Sequence, residues 1–272
     1  MGGMSAANPG GILSELQHAV ASEVLAAEGA ARRHLVVYLS GAHAYGFPSP
    51  DSDLDLKAVH SESTRRLLGL APPPGHAARL ETIRGVEVDY TSNEIGGVLA
   101  GVLAGNGNYI ERLLGALVLV ETPVLAELRP LVRRALSRRV HRHYRGFASQ
   151  QRAAFDGADS PTAKKLLYVL RTALTGSHLL ETGELVTDVT CLLDRHDLAD
   201  ARELVQMKRA GELSPLPPGV VQRWRGRLDG LFEGIDRARD RSPLPEEPAN
   251  FAEVEDWLVV HRLGSAAAHE AV

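Results

Sequence analysis

The sequence predicts an α/β (α+β) chain: a small α/β unit followed by an all-helical unit. Two observations carry this. Short apolar runs with β-branched residues, at 35–39, 54–58, 78–83 and 85–91, crowd into the first third of the chain. From Pro123 onward the apolar spacing is helical throughout. The division falls near residue 122, giving units 1–122 and 123–272.

Composition bounds the function. The 272 residues suffice for a sizeable core, and 44% hydrophobic with 24% charged residues is the balance of an ordinary soluble globular protein. A net charge of −4 means that any surface for a polyanion must be local. The single cysteine, Cys191, excludes an internal disulfide, and no Cys/His spacing suggests zinc. No stretch is long and apolar enough to span a bilayer. The Gly-rich start, Met1–Gly11, lacks a signal-peptide pattern, so the cytoplasm is expected.

Taken in order, residues 12–30 carry the apolar stripe of an amphipathic helix. Leu35-Val36-Val37-Tyr38-Leu39 then reads as a buried strand, and Gly41 and Gly46 bracket a tight turn ended by Pro48 and Pro50. On the second strand Leu54, Leu56 and Ala58 alternate with Asp53, Asp55 and Lys57. A short helix over 61–70 and a proline loop at 71–75 lead to the strands 78–83 and 85–91, which turn at Arg84-Gly85. In the latter, Glu87, Asp89 and Thr91 share one face. A helix over 93–104 stops at Gly105-Asn106-Gly107, the next starts at Asn108, and 117–120 can form a short strand. The remaining helices are expected at 123–136, 140–156, 160–181, 197–210, 218–238 and 250–262.

The chemistry concentrates in Ser40–His60. Asp53 and Asp55 lie two apart on a strand and project side by side, and adjacent carboxylates are commonly relieved by a cation. Alone, Asp51-Ser52-Asp53 would be ordinary turn residues. An EF-hand frame from Asp51 to Glu62 fails, because Leu56 stands where that loop needs glycine and a strand precedes it. The stretch reads as a metal-dependent phosphate-handling site.

Three segments carry a resemblance. They are Ser40-Gly41-Ala42-His43-Ala44-Tyr45-Gly46 with Asp51-Ser52-Asp53-Leu54-Asp55-Leu56, then Gly105–Leu113, then Lys164-Lys165-Leu166-Leu167-Tyr168-Val169-Leu170-Arg171. In that order they resemble the DNA polymerase β-like nucleotidyltransferases, and most closely the RNA repair pathway DNA polymerase beta family. The resemblance implies a mixed-sheet nucleotidyltransferase core with a helical domain closing over a nucleoside triphosphate. It also implies two Mg²⁺ ions held by Asp53, Asp55 and a third carboxylate. Asp89 is chosen for that role, with Glu87 as the alternate. The superfamily usually has Gly-Ser in the turn, whereas Gly41 here precedes Ala42. Ser40 or backbone N–H groups are then left to meet the phosphates.

The triphosphate, ATP among the candidates, is expected against Ser40, Gly41, Ala42, His43 and Tyr45. The Lys164, Tyr168 and Arg171 face of one helix would meet its far end. His43 is as well read as a surface histidine, and the helix face as a solvated one. Lys57 and Lys165 are weaker candidates, and Glu111 and Arg112 are possible cleft residues. An arginine-rich zone over 129–152, with Tyr144 for stacking and Arg138 and Arg142 on one face, is either solvated surface or a groove for an RNA acceptor. The expected activity is transfer of a nucleoside monophosphate to an acceptor hydroxyl with release of pyrophosphate. The alternatives are a small-molecule or protein acceptor, or nucleotide binding without turnover.

Overall fold

The computed structural model describes residues 6–211 and 214–270, with side chains as far as Gly264; Met1–Ser5 of the Gly-rich start lie outside it. Helix α1 (Glu15–Ala31) starts three residues later than the apolar stripe, because Ser14 and Gln17 form a capping box there. Strands β1 (Arg33–Leu39) and β2 (Leu54–Ser61) flank the single helical turn α2 (Gly41–Ala44). Strand β2 runs on through Ser61, so the helix expected over 61–70 shrinks to α3 (Thr64–Leu67). The hairpin β3 (His76–Ile83) and β4 (Val86–Glu94) precedes α4 (Ile95–Leu103), α5 (Gly107–Leu114) and β5 (Val118–Glu121).

The five strands form one mixed sheet in the order β3-β4-β2-β1-β5. Every pair is antiparallel except β2 with β4, which run parallel. One face is sealed by α1, whose Val20, Val24 and Leu25 pack on Val37, Leu39, Leu54, Leu56, Val88 and Tyr90.

The helical unit comprises α6 (Pro123–Arg134), α7 (Val140–Asp156), α8 (Ala163–Thr182), α9 (Arg202–Ala210), α10 (Pro218–Asp240) and α11 (Phe251–Glu270). Helix α8 begins after Pro161, where the Thr162 hydroxyl accepts from the Lys165 N–H, and a separate 3₁₀ turn precedes α9. One core joins Leu35 and Val36 to Leu128, Tyr144, Leu179 and Ile235, and another joins Tyr38, Ala42 and Phe47 to α8, α9 and α10. The sheet face opposite α1 is thus covered over β1, and by α4 and α5 over the C-terminal ends of β2 and β4, and is left part-exposed around Asp55, Lys57 and Asp89. Among the described residues no helix is long and apolar enough to cross a membrane.

Two histidines are built into the strands: His34 meets the Tyr90 hydroxyl at 2.7 Å, and His60 meets Ser92 Oγ at 2.7 Å. Burial, with Arg32 nearby, pushes both imidazoles down to about 4. Both are neutral in the fold, while in the unfolded chain they take up protons below about 6.5. Their contribution is therefore intact above that pH and falls progressively between about 6.5 and 4, by up to about 3 kcal/mol each. Urea unfolding at pH 7.5 and 5 should show this loss. The double variant His34→Gln/His60→Gln should be weaker at pH 7.5 yet lose less on acidification. An equally steep loss in the variant would place the acid sensitivity elsewhere.

Candidate active site

The site begins where β1 ends. The Ser40 N–H donates to the Asp55 carbonyl at 2.8 Å, tying the turn to β2. Gly41 has φ +65°, and a Cβ there would come 1.8 Å from Asp55 Oδ2. The residue must be glycine both for its backbone and because the Asp55 carboxylate occupies the side-chain position. Gly46, φ +85°, faces Asp188 in the same way, with a Cβ-to-Oδ1 distance of 1.8 Å. Asp188 caps the Thr190 N–H at 2.8 Å and the Val189 N–H donates to the Tyr45 carbonyl at 3.1 Å, so the turn is held from both units.

The parallel pairing of β2 and β4 sets Asp55 directly opposite Asp89 and Lys57 opposite Thr91. Register partners share a face, so Asp55, Lys57, Asp89, Thr91 and Asn93 project together onto the open side. Glu87 is one pair away and exposed. By placement Asp89, rather than Glu87, stands beside Asp55. Burial raises the Asp55 pKa, and Asp89 and Asp53 raise it further, while Lys57 opposes them. The Lys57 ammonium lies 2.7 Å from Asp89 Oδ2 and 3.5 Å from Asp55 Oδ1.

Asp53 sits just before β2 on a turn fastened from below. Lys208 of α9, fully buried, reaches Ser49 Oγ at 2.5 Å and Ser52 Oγ at 2.8 Å. Gln17 of α1 donates to the Ser52 carbonyl at 3.2 Å. The ring of His43, itself buried, bonds to the Asp53 backbone; burial and Lys208 lower its pKa, and Asp53 opposes them. His43 is therefore not a surface histidine. Lys208 gives no sign in the sequence, since Lys208-Arg209 reads as the basic end of an amphipathic helix.

Helix α8 meets the site with its first turn. Lys164 lines a cleft of about 520 Å³ with Asp51, Ser52, Asp53 and Glu87. Tyr168, one turn on, is half-buried, edge-on to Tyr45 and Phe47 at ring distances of 5.8 and 5.6 Å. Lys165 points to solvent.

Several expectations need correction. Arg171 is not on a solvated or phosphate-facing surface. It is buried, ion-paired with buried Glu111, and stacked 3.6 Å from the centroid of the Tyr45 ring. Glu111 is thereby withdrawn from the cleft, and its carboxylate holds Arg171 in the charged form despite burial. Tyr144 is buried too, donating to Glu111 Oε1 at 3.1 Å, and is unavailable for stacking. Tyr45 is buried, and its hydroxyl lies 3.0 Å from Ser40 Oγ, so the two hydroxyls of the turn engage each other. Arg112 does reach the site: it donates to Asn93 Oδ1, the Ala58 carbonyl and Thr91 Oγ1 at 2.5, 3.1 and 3.2 Å.

The arginine-rich zone is largely neutralised. Arg129 pairs with Glu121, Arg134 with Glu253, Arg138 with Glu246 and Arg139 with Glu247. Arg145 pairs with Asp236, and Arg152 with Asp156 and Asp229. The Arg138/Arg142 pair is split, with Arg138 also donating to the Ser242 carbonyl at 2.6 Å and Arg142 exposed.

Among the described residues no three histidine, cysteine or carboxylate groups close round one point. The all-oxygen donor set of Asp53, Asp55 and Asp89 still fits Mg²⁺, which takes a few carboxylates and completes its shell with phosphate oxygens and water. Burial is the main cause of the raised Asp55 pKa, with Asp89 and Asp53 adding to it, and a cation bound there would offset all three.

A glycine turn, an Asp-x-Asp strand and a carboxylate on the neighbouring parallel strand are the parts of a polymerase β-like nucleotidyltransferase. The chain belongs to the RNA repair pathway DNA polymerase beta family, whose profile matches residues 16–260. An uncharacterized protein of Methanocaldococcus jannaschii is 24% identical over 222 residues, 81% of this chain and 90% of that protein. A nucleotidyltransferase-like protein from Exiguobacterium sibiricum, solved by crystallography, aligns over 81% of this chain and 74% of its own at 12% identity and a TM-score of 0.32.

Gly41→Ala tests the close approach. The left-handed conformation alone costs an L-residue roughly 1–2 kcal/mol, and the added methyl must displace the Asp55 carboxylate. Chemical denaturation should show a loss of at least that size. Gly75→Ala, where a Cβ meets nothing within 4 Å, should lose under about 0.5 kcal/mol. Equal stability of the two variants would mean the turn is free to move.

Proposed function

We propose that the protein transfers a nucleoside monophosphate from a nucleoside triphosphate to an acceptor hydroxyl, with pyrophosphate as the leaving group. The observation that carries this reading is the register that sets Asp55 beside Asp89, with Asp53 on the adjoining turn and Lys164 above. Asp53 and Asp55 would hold two Mg²⁺ ions, and Asp89 would complete the ion on the acceptor side. Bound there, magnesium lowers the pKa of the attacking hydroxyl and neutralises charge on the attacking and leaving oxygens. The N–H groups at the start of the Gly41–Ala44 turn would meet the phosphates beside the cation that Asp55 holds. Lys164 supplies positive charge at the outer end, and Tyr168 forms the wall behind it. Arg171 acts at one remove, by fixing Tyr45 and through it the turn.

The family description favours RNA as the acceptor, in the cytoplasm, where triphosphates and RNA meet. The arginine pairings favour the smaller-acceptor alternative, because those side chains already have carboxylate partners.

Alanine at Asp53 or Asp55 should reduce transfer of label from an NTP by about 10³-fold or more, with the fold retained. Asp89→Asn should match Asp55→Asn, whereas Glu87→Gln should stay within severalfold. Activity above about a tenth of wild type in either alanine variant is far more than that loss permits and would sink the two-metal assignment.

RNA affinity measured across a salt series separates the acceptors. Each neutralised phosphate of a single strand contributes a slope of about −0.7 in log affinity against log salt. Because Arg142 is exposed and Arg138 is not, Arg142→Gln should flatten the slope more than Arg138→Gln. A flat wild-type plot points to a small-molecule or protein acceptor instead.

A further inference from the structure

The cation nearest the catalytic carboxylates belongs to the protein. Lys57 lies two residues beyond Asp55 on a central strand, paired on one side with β1 and on the other with β4, so its Cα cannot leave the face. Its side chain is only 17% exposed, and its ammonium lies 2.7 Å from Asp89 Oδ2, 3.5 Å from Asp55 Oδ1 and 3.2 Å from the Asp89 carbonyl. The other cationic groups of the cleft are placed elsewhere. Arg112 is engaged by Thr91, Asn93 and Ala58, and Lys164 lies at the Asp53 end. A divalent cation that takes Asp55 and Asp89 must therefore take them from Lys57.

We propose that Lys57 is a built-in counter-ion that couples cation and nucleotide binding. It holds the Asp55–Asp89 pair until a cation–nucleoside triphosphate complex arrives, then releases the carboxylates to the cation and pairs with the phosphate oxygens. The inference rests on the nucleotidyltransferase reading and adds to it an order of binding. A bare divalent cation offers the ammonium no new partner, so it meets competition at both carboxylates. A triphosphate offers oxygens within the swing of a flexible four-carbon stem, and the exchange then conserves charge pairing. The cation binds weakly alone and tightly with nucleotide, and each raises the affinity of the other by the same factor.

The test is Mn²⁺ titration of the full chain, followed by the EPR signal of free Mn²⁺, with and without α,β-methylene-ATP. For the wild type, the nucleotide analogue should tighten Mn²⁺ binding by at least about tenfold. For Lys57→Met, Mn²⁺ alone should bind about tenfold to a hundredfold more tightly than to wild type, the range expected for one charge-assisted hydrogen bond. The analogue should add little further in that variant and should itself bind more weakly. Lys57→Gln gives the same comparison with a polar side chain, and the wild-type arm needs no variant. Equal Mn²⁺ affinity of wild type and both variants without nucleotide overturns the proposal. So does a wild-type Mn²⁺ affinity indifferent to the analogue. If no protein takes up Mn²⁺ under either condition, the metal-dependent reading falls, and this inference with it.

Discussion

The structure turns on one constraint: the parallel pairing of β2 and β4 holds two carboxylates, Asp55 and Asp89, side by side at the open face of the sheet. A parallel neighbour in an otherwise antiparallel sheet cannot be reached by a hairpin. The chain must leave β2, cross by α3, and return through β3 before β4 can run alongside. That route encloses no core of its own. Strand β3 alternates between exposed and half-exposed positions, and Leu80 is open to solvent. What the detour achieves is register, and register sets like charges on neighbouring strands opposite one another. Burial raises the Asp55 pKa, the neighbouring carboxylates add to it, and Lys57 opposes both in the protein as it stands.

Placing Asp55 so close to the turn fixes the rest of the site. Gly41 yields its side-chain position to that carboxylate, and Gly46 yields its own to Asp188. The turn is consequently a joint between the sheet and the helical unit. A second link lies deeper. Glu111 of α5 pairs with Arg171 of α8, Arg171 stacks on Tyr45, and the Tyr45 hydroxyl returns to Ser40. Removing one partner from a buried pair leaves the other charge uncompensated, which typically costs about 3–5 kcal/mol. The relative placement of α8, and with it Lys164, is thus set by groups that never meet the cleft.

Much of this was legible in the sequence, where a local period decided the answer. The alternation through β2 and β4 identified the shared face of Asp55 and Asp89 without any knowledge of pairing, whereas Asp53, expected on the same strand, lies on the turn before it. Glycine and proline marked the turn, although not that it closes as one turn of helix over Gly41–Ala44. What periodicity could not supply was depth. Lys164, Tyr168 and Arg171 do share one face of α8, as their spacing requires. The helix, however, enters the core at an angle, so this face passes from cleft to wall to interior within two turns. The arginine zone misled for a related reason: its carboxylate partners lie up to 119 residues away, on elements whose approach only the tertiary fold sets. Lys208 is the clearest case. A lysine in a polar helix segment carries no mark of burial until the serines it anchors are folded against it.

The balance of charge in the cleft gives these placements a common sense. Asp51, Asp53, Asp55, Glu87 and Asp89 stand against Lys57, Arg112 and Lys164, which leaves an excess of acid. Such a cleft has no strong field to draw in a bare triphosphate, and a chain that is acidic overall adds none. Arg112 is tied down by β4 and the Ala58 carbonyl, and burial lowers its pKa, so it is a fixed donor rather than a mobile one. Adaptation falls to the two lysines, whose stems are long and whose ammonium groups exchange partners readily. They lie along the same row of carboxylates, Lys57 between Asp55 and Asp89 and Lys164 beside Asp53. An anion laid along that row would meet Lys57 within the Asp55–Asp89 pair and Lys164 by Asp53, with a carboxylate next to each lysine. If the cleft takes a nucleoside triphosphate, as proposed, the carboxylates of that row favour one that arrives with cations.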